Sequence, residues 1–414
     1  MRQRLASRTV MAVVVGCVVF FGVAFRAAAS DERLLPDNPL AGQELFLSKG
    51  CVSCHAVLGH GGTAGPDFGK IQLSKSILGI AALMWNHSPR MTEEFLRLQR
   101  ARPEFSAEEM SNLIGFLYLL NYFDPLGDPK TGAEVFKSHL CENCHAVGGA
   151  GGKVAPPLDR LKNYYTPIYL ATSMWNHGAK MTESMKQRNV PLPRFHGADV
   201  ADLLAFIRQM ARTDVVERHY LEPGSPARGA LIVHTKGCSQ CHGIHKSNGG
   251  TEADARPPFA TLFPNMEGPN LAKLGLRTNF SHIAGMLWTH GDGVWEIMQR
   301  NGVEVPTFSP QEMADLSIYL YFLGYADSPG NVQGGRSVFV EKGCVLCHSP
   351  HDDAKKIGPG LAKIAKNATP FEIVAAMWNH LPTMEKRLNE LKFPWPRFTT
   401  AEMGDLITYL RSME

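Results

Sequence analysis

The stretch Cys51-Val52-Ser53-Cys54-His55 sets a pattern that the rest of the chain repeats. The same C-x-x-C-H spacing returns three more times, beginning at Cys141, Cys238 and Cys344. This spacing predicts attachment of a c-type haem, because both thiols reach one edge of the porphyrin while the imidazole reaches the iron. The predicted attachment residues are Cys51, Cys54, Cys141, Cys144, Cys238, Cys241, Cys344 and Cys347. The predicted proximal iron ligands are His55, His145, His242 and His348, one for each of four covalently bound haem c groups.

Zinc binding and dithiol redox chemistry are two other common uses of a C-x-x-C pair. A structural zinc site needs a second pair of ligands nearby, and the sequence places none beside these pairs. A redox dithiol does not need a histidine at the next position in all four copies. Of the nine cysteines, Cys17 alone lies outside the four copies, so no pair remains for a structural disulfide. The cysteines therefore predict haem attachment.

The first 29 residues have the features of a secretory signal peptide. Three arginines among the first eight residues precede an almost wholly apolar run over residues 10–25, and Ala27-Ala28-Ala29 supplies an A-x-A cleavage site. Export agrees with haem attachment outside the bacterial cytoplasmic membrane. It predicts a periplasmic protein with no membrane span after cleavage. Two alternatives stay open, because the apolar run could remain as a short anchor or Cys17 could complete a lipobox.

Other residues recur in step with the four motifs and divide the chain into modules. A glycine stands nine residues before each first cysteine, and in three copies a proline and a second histidine follow the motif histidine by 11 and 32 residues. In the third copy both are displaced by a further 16 residues, which predicts a loop insertion within residues 247–266. The predicted modules, numbered one to four, cover residues 30–126, 127–216, 217–328 and 329–414.

Each module is predicted to end in a helix. Ser106 and Glu109 match a capping box, as do Ser309 and Glu312, and apolar residues follow at helical spacing from Met110. The predicted fold class is all-α, with four tandem haem-binding modules after the signal peptide. Successive first cysteines lie 90, 97 and 106 residues apart, and without the insertion only the middle connection is longer. We therefore expect module one to pair with two, and three with four.

The modules resemble class I cytochrome c domains, which have an N-terminal helix, a C-x-x-C-H motif, a proline loop, a middle helix, a distal ligand and a terminal helix. This resemblance covers nearly all of residues 37–414. It implies that a proline carbonyl binds the outer nitrogen of each proximal histidine. The prolines in that role are Pro66, Pro156, Pro269 and Pro359.

The resemblance also implies a methionine as the distal iron ligand. In modules one, two and four a proline or glycine follows the second histidine and is expected to end the middle helix. The methionine four residues after that histidine would then lie on a loop over the haem. These methionines are Met91, Met181 and Met384. The alternative ligands are the second histidines themselves, His87, His177, His290 and His380.

Module three departs from this pattern, because Val294 occupies the methionine position. Three interpretations stay open for its iron. The distal ligand is Met298, one helical turn further on, or it is His290, or the iron is open to a small molecule.

Taken together, these features predict an electron-transfer protein rather than an enzyme, since no nucleotide loop, nucleophile elbow or metalloprotease helix is present. The expected partners are periplasmic or membrane-bound electron donor and acceptor proteins. The protein is expected to act either as a free cytochrome or as the cytochrome subunit of an oxidoreductase complex. The formal net charge of +3 gives no indication of nucleic-acid binding, and peripheral membrane association stays open. The alternative function is a haem enzyme that reduces a small oxidant such as peroxide at an open third haem.

Overall fold

The structure is a computed structural model that describes residues 40–413 except 72, 74–75, 125–126, 161–165, 212–220, 222, 245–267, 275, 277, 324, 326–329 and 352–355. The predicted signal peptide, the predicted insertion within 247–266 and most of the longer middle connection lie outside the described residues. The described residues belong to one compact unit, and the boundaries between modules stay predictions. Among them, no helix combines the length and the hydrophobicity that a bilayer crossing requires.

Each module contributes an entry helix, a middle helix and a terminal helix, numbered α1 to α12 in chain order. Module one has α1 (Ala41–Ser48), α2 (Ile77–Arg97) and α3 (Ala107–Leu119). Module two has α4 (Pro129–Ser138), α5 (Pro167–Gln187) and α6 (Asp199–Met210). Module three has α7 (Pro226–Thr235), α8 (Phe280–Arg300) and α9 (Pro310–Leu323). Module four has α10 (Val332–Glu341), α11 (Pro370–Glu390) and α12 (Thr400–Arg411).

The remaining regular elements are short. In module one, strand β1 (Ala56–Val57) pairs antiparallel with β2 (His60–Gly61), with Ala56 opposite Gly61. In module two, β3 (Ala146–Val147) pairs in the same way with β4 (Ala150–Gly151). Module four has two one-turn helices, Cys344–Cys347 and Ala362–Ala365. The mostly helical class is therefore confirmed, and each hairpin is a local addition directly after a C-x-x-C-H motif.

The terminal helices begin as their sequences predict. The Ser106 hydroxyl accepts a hydrogen bond from the backbone N–H of Glu109, whose carboxylate accepts one from the N–H of Ser106. Ser309 and Glu312 form the same reciprocal pair at the start of α9. Because each pair satisfies two N–H groups that the helix leaves without partners, it fixes the residue at which the helix starts. Both predicted capping boxes are confirmed.

Within each module the entry helix crosses the terminal helix at a glycine. A Cβ at Gly132 would lie 1.9 Å from the carbonyl oxygen of Asp202, and one at Gly229 would lie 2.0 Å from that of Asp315. Gly42 and Gly335 meet their own terminal helices in the same way. The recurring glycine is therefore required because only a residue without a side chain allows the two backbones to approach so closely.

The modules pair differently from the predicted order, because module one packs on module four and module two on module three. The indole N–H of Trp85 donates to the carbonyl of Pro396 at 2.7 Å, and that of Trp378 donates back to Pro103 at 2.8 Å. Modules two and three exchange the same contacts through Trp175 with Pro306, and Trp288 with Pro193. The expected pairs one-two and three-four are wrong, since linker length does not determine which surfaces match.

An asparagine next to the tryptophan reinforces each junction. The amide of Asn86 donates to the carbonyl of Phe398 at 2.8 Å and accepts from its N–H at 2.9 Å. Asn379 binds Phe105 and Asn176 binds Phe308 through the same two hydrogen bonds. Module three has Thr289 at this position, and its hydroxyl donates instead to its own helix at Gly285.

A third contact joins the two pairs through modules one and three. The hydroxyl of Tyr321 donates to the carbonyl of Tyr118 at 2.7 Å, and both side chains are buried. The carboxylate of Asp124 accepts hydrogen bonds from the backbone N–H and the hydroxyl of Ser281. In space the modules therefore follow one another as four, one, three, two.

Candidate haem sites

The C-x-x-C-H motif folds into one tight turn that positions its three functional side chains. Cys51–Ser53 form a 3-10 turn, and the N–H of His55 donates to the carbonyl of Cys51 at 2.9 Å. The residue before the turn is left-handed, with φ of 83° at Gly50 and 57° at Leu140. Glycine adopts this conformation without strain, whereas Leu140 does so at a cost. The same histidine-to-cysteine hydrogen bond occurs in all four copies, so each copy presents its thiols and imidazole together.

Every motif histidine binds the carbonyl of the proline that the sequence singled out. The distance from histidine Nδ1 to the carbonyl oxygen is 3.2 Å for Pro66, 2.8 Å for Pro156, 2.9 Å for Pro269 and 3.1 Å for Pro359. A carbonyl oxygen only accepts, so Nδ1 carries the proton and Nε2 keeps a lone pair. Each ring is thus oriented as a metal ligand, and the expected role of the prolines is confirmed.

None of the eight motif cysteines is paired in a disulfide. Burial raises the pKa of the first cysteine in each copy, Cys51, Cys141, Cys238 and Cys344, to about 11. Each motif places two cysteine side chains and one imidazole in the same turn, which is the set of groups that covalent haem attachment requires.

The middle helices do not end where the sequence predicts. Pro89 lies inside α2 and Pro382 inside α11, and each helix runs eight residues past its proline. Pro89 leaves the carbonyl of Trp85 without its helical partner, and the indole N–H of Trp395 in module four donates to that oxygen at 3.2 Å. Met91, Met181 and Met384 therefore lie on helices and not on loops, so that part of the prediction is wrong.

The second histidines lie at the centre of the middle helices, and their rings are oriented by their own backbone. Nδ1 donates to the carbonyl four residues earlier at 3.0 Å in three modules, from His87 to Leu83, from His177 to Ser173 and from His290 to Met286. In module four the ring centres of His348 and His380 lie 6.4 Å apart, with an interplanar angle of 68°. The structure thus brings the second histidine opposite the motif histidine there.

The pKa shifts of His380 and His55 agree with the proximity of the two histidines in modules four and one. Burial lowers the pKa of His380, and the neighbouring His348 lowers it further. Burial also lowers the pKa of His55, the hydrogen bond to Pro66 opposes this effect, and His87 adds to the lowering. A positive charge on the neighbouring ring disfavours a second positive charge, so the lowered pKa values of His55 and His380 favour the neutral form of these two rings. Neutral imidazole is the form that binds a metal.

Met298 does not share the position of the other candidate ligands. It lies near the end of α8, eight residues beyond His290. At 1.5 Å per residue this separation is about 12 Å along the helix axis. His290, in contrast, occupies the same helical position as His87 and His177 and makes the same hydrogen bond. Module three therefore keeps the histidine position of the other modules, and Met298 lies about two helical turns away from it.

Sequence reasoning missed the carbonyl groups that orient the second histidines and the asparagines that join the modules. The backbone acceptors Leu83, Ser173 and Met286 have no side-chain signal, since any residue supplies a carbonyl. The asparagines did have a sequence signal. The tetrapeptide M-W-N-H recurs in modules one, two and four, and Thr289 replaces the asparagine in module three. The recurrence was visible, but the partners lie more than 100 residues away.

Comparison with known proteins adds one finding. A family model described as cytochrome c matches residues 40–118, 129–211 and 332–414, together more than half of the chain. The three matched segments contain the turns, prolines and helices described above for modules one, two and four. No curated protein and no solved structure matches the chain.

Proposed function

The chain belongs to the cytochrome c family, and from this premise we propose that it is a periplasmic tetrahaem cytochrome that carries single electrons between redox partners. Membership of the family implies covalently bound haem c and electron transfer. A haem held by two thioethers and an imidazole supplies an iron that changes between two oxidation states. The protein would fix the position of each iron, exclude water from it and keep its histidine ligand in the metal-binding tautomer.

The observation that supports four haem sites is that the motif histidine makes the same two hydrogen bonds in all four modules. Module three lies between the matched segments, yet its His242 binds Pro269 at 2.9 Å as the other motif histidines bind their prolines. The two residues are 27 positions apart in module three and 11 apart elsewhere. The longer connection has thus left the hydrogen bond intact, which supports a fourth functional site.

The pairing of the modules supports a linear route for electrons. Modules four and one share one junction, one and three a second, and three and two a third. We expect electrons to pass in the order four, one, three, two or the reverse. The two ends of this route, modules four and two, are then the places where the donor and the acceptor bind.

Location and partners follow from the sequence features already described. The proposed signal peptide places the mature protein in the bacterial periplasm, and the partners are donor and acceptor oxidoreductases there or in the membrane. The alternative of an open third haem that reduces peroxide has no support from the described contacts. His290 makes the same hydrogen bond as His87 and His177, so module three does not differ from the others at this position. Electron transfer without catalysis is therefore the proposed function.

The test is a haem count followed by a reductive titration of the purified mature protein. The pyridine haemochrome assay should give four haems per chain, and full reduction should consume four electrons. The double variant Cys238→Ala/Cys241→Ala should lower both numbers to three. Three haems in the unmodified protein would refute the tetrahaem proposal, and rapid turnover of peroxide with one high-spin haem would refute the purely electron-carrying role.

A further inference from the structure

We infer that histidine, not methionine, is the distal iron ligand in all four modules, through His87, His177, His290 and His380. This inference rests on the proposed attachment of four haems and deepens it. It departs from the ligand set that the family resemblance implied, in which Met91, Met181 and Met384 bind the iron. Three observations carry it: the spacing of two rings, the orientation of the distal rings, and the recurrence of the histidine.

The first observation is the ring spacing in module four. A metal–imidazole bond is about 2.1 Å long, so one iron between two imidazoles places their ring centres roughly 6 Å apart once the ring radii are added. The ring centres of His348 and His380 lie 6.4 Å apart. The two rings therefore stand at the separation that one shared iron requires.

The second observation is the hydrogen bond that orients the ring of each distal histidine in modules one to three. In modules one to three Nδ1 of the distal histidine donates to a helix carbonyl at 3.0 Å, so Nε2 at the far end of the ring keeps its lone pair. A histidine that only filled space would not need this orientation in three separate helices. The arrangement copies that of the proximal rings, whose Nδ1 atoms bind the proline carbonyls.

The third observation is that the second histidine is present in all four modules, whereas the methionine four residues later is missing from module three. Module three has Val294 at the methionine position, but it keeps His290. Because the middle helices continue without a break, Met91 and Met384 lie one full turn, about 6 Å along the axis, beyond the histidines of their modules. The loop that would have carried a methionine over the haem is absent from these two described helices.

A bis-histidine set has a consequence for the redox potentials. Methionine ligation raises the potential of a c-type haem relative to a second histidine. All four haems should therefore have low potentials, and module three should resemble the other modules instead of standing apart. The protein would then serve a low-potential electron route.

The experiment is near-infrared magnetic circular dichroism of the oxidised holoprotein, with the haem count measured on the same sample. The expected spectrum has charge-transfer bands of bis-imidazole iron alone and lacks the band of sulfur-ligated iron. A sulfur–iron band in the unmodified protein would overturn the inference. Haem attachment is read independently from the haem count, so a wrong ligand and a missing haem give different results.

Matched variants assign the ligand within one module. His380→Ala should convert one haem of four from low-spin to high-spin, which electron paramagnetic resonance detects, whereas Met384→Leu should leave the spectrum unchanged. His380→Met should restore a low-spin haem, add a sulfur–iron band and raise one potential. A spectral change on Met384→Leu with none on His380→Ala would assign the methionine and refute the inference.

Discussion

Replacing Asn86 by alanine should weaken the junction between modules one and four by a measurable amount. The Asn86 amide makes two hydrogen bonds to Phe398, at 2.8 and 2.9 Å, and the side chain of Phe398 is buried. A hydrogen bond of this kind contributes about 1 kcal/mol net, and leaving a buried backbone group without its partner adds to the loss. We therefore expect the free energy of unfolding to fall by about 2–3 kcal/mol.

The assay is guanidinium unfolding of the holoprotein followed by far-ultraviolet circular dichroism. Thr289→Ala is the matched control, because Thr289 occupies the same repeat position but binds only its own helix. That control should change the free energy of unfolding by less than about 0.5 kcal/mol, as is usual away from a junction. Equal effects of the two substitutions, or an effect of Asn86→Ala below the control value, would refute the assignment of Asn86 to the junction.

Four further substitutions test other features by the same denaturation assay. Gly229→Ala would place a Cβ 2.0 Å from a backbone oxygen and should cost at least about 2 kcal/mol, whereas Gly293→Ala meets no atom within 4 Å and should stabilise α8 by up to about 1 kcal/mol. Tyr321→Phe removes a buried 2.7 Å hydrogen bond across the junction of modules one and three and should cost about 1–2 kcal/mol, unless that junction contributes nothing to stability. The hydrogen bond and charge of Lys49 hold the pKa of Glu109 below its ordinary value of 4.5, so the stability from this pair is present above that pH and is lost as the pH falls through the lowered pKa. Glu109→Gln should therefore flatten part of the acid dependence of the unfolding midpoint as the pH falls below the ordinary glutamate pKa of 4.5, and an unchanged slope would contradict this origin.

Features encoded by local spacing could be predicted from the sequence. The Ser106 capping box depends on residues three apart. Short separations leave few possible geometries, so the pattern alone determines the contact. The helical class and the repeat followed from patterns of this kind, whereas the contact between His55 and Pro66 was implied by the resemblance to class I cytochrome c domains.

Contacts between modules could not be predicted, because they depend on surfaces far apart in the sequence. Trp85 and Pro396 are 311 residues apart, and the sequence around either residue does not indicate which segment it contacts. For the same reason, the sequence wrongly predicted that α2 would end near Pro89. A proline in a helix costs about 3 kcal/mol in isolation, but here Trp395 from module four satisfies the carbonyl that the proline frees.

The nested pairing of the modules has a consequence for how the newly made chain matures. Trp85 and Pro396 are separated by 311 residues, so module one must wait without its partner until nearly the whole chain has been exported. Module two waits less than half as long, because Trp175 and Pro306 are 131 residues apart. The inner pair therefore closes before the outer one. Until export ends, the indole surface of module one stays open to a second copy of the chain, which makes domain-swapped dimers the characteristic assembly error of this architecture.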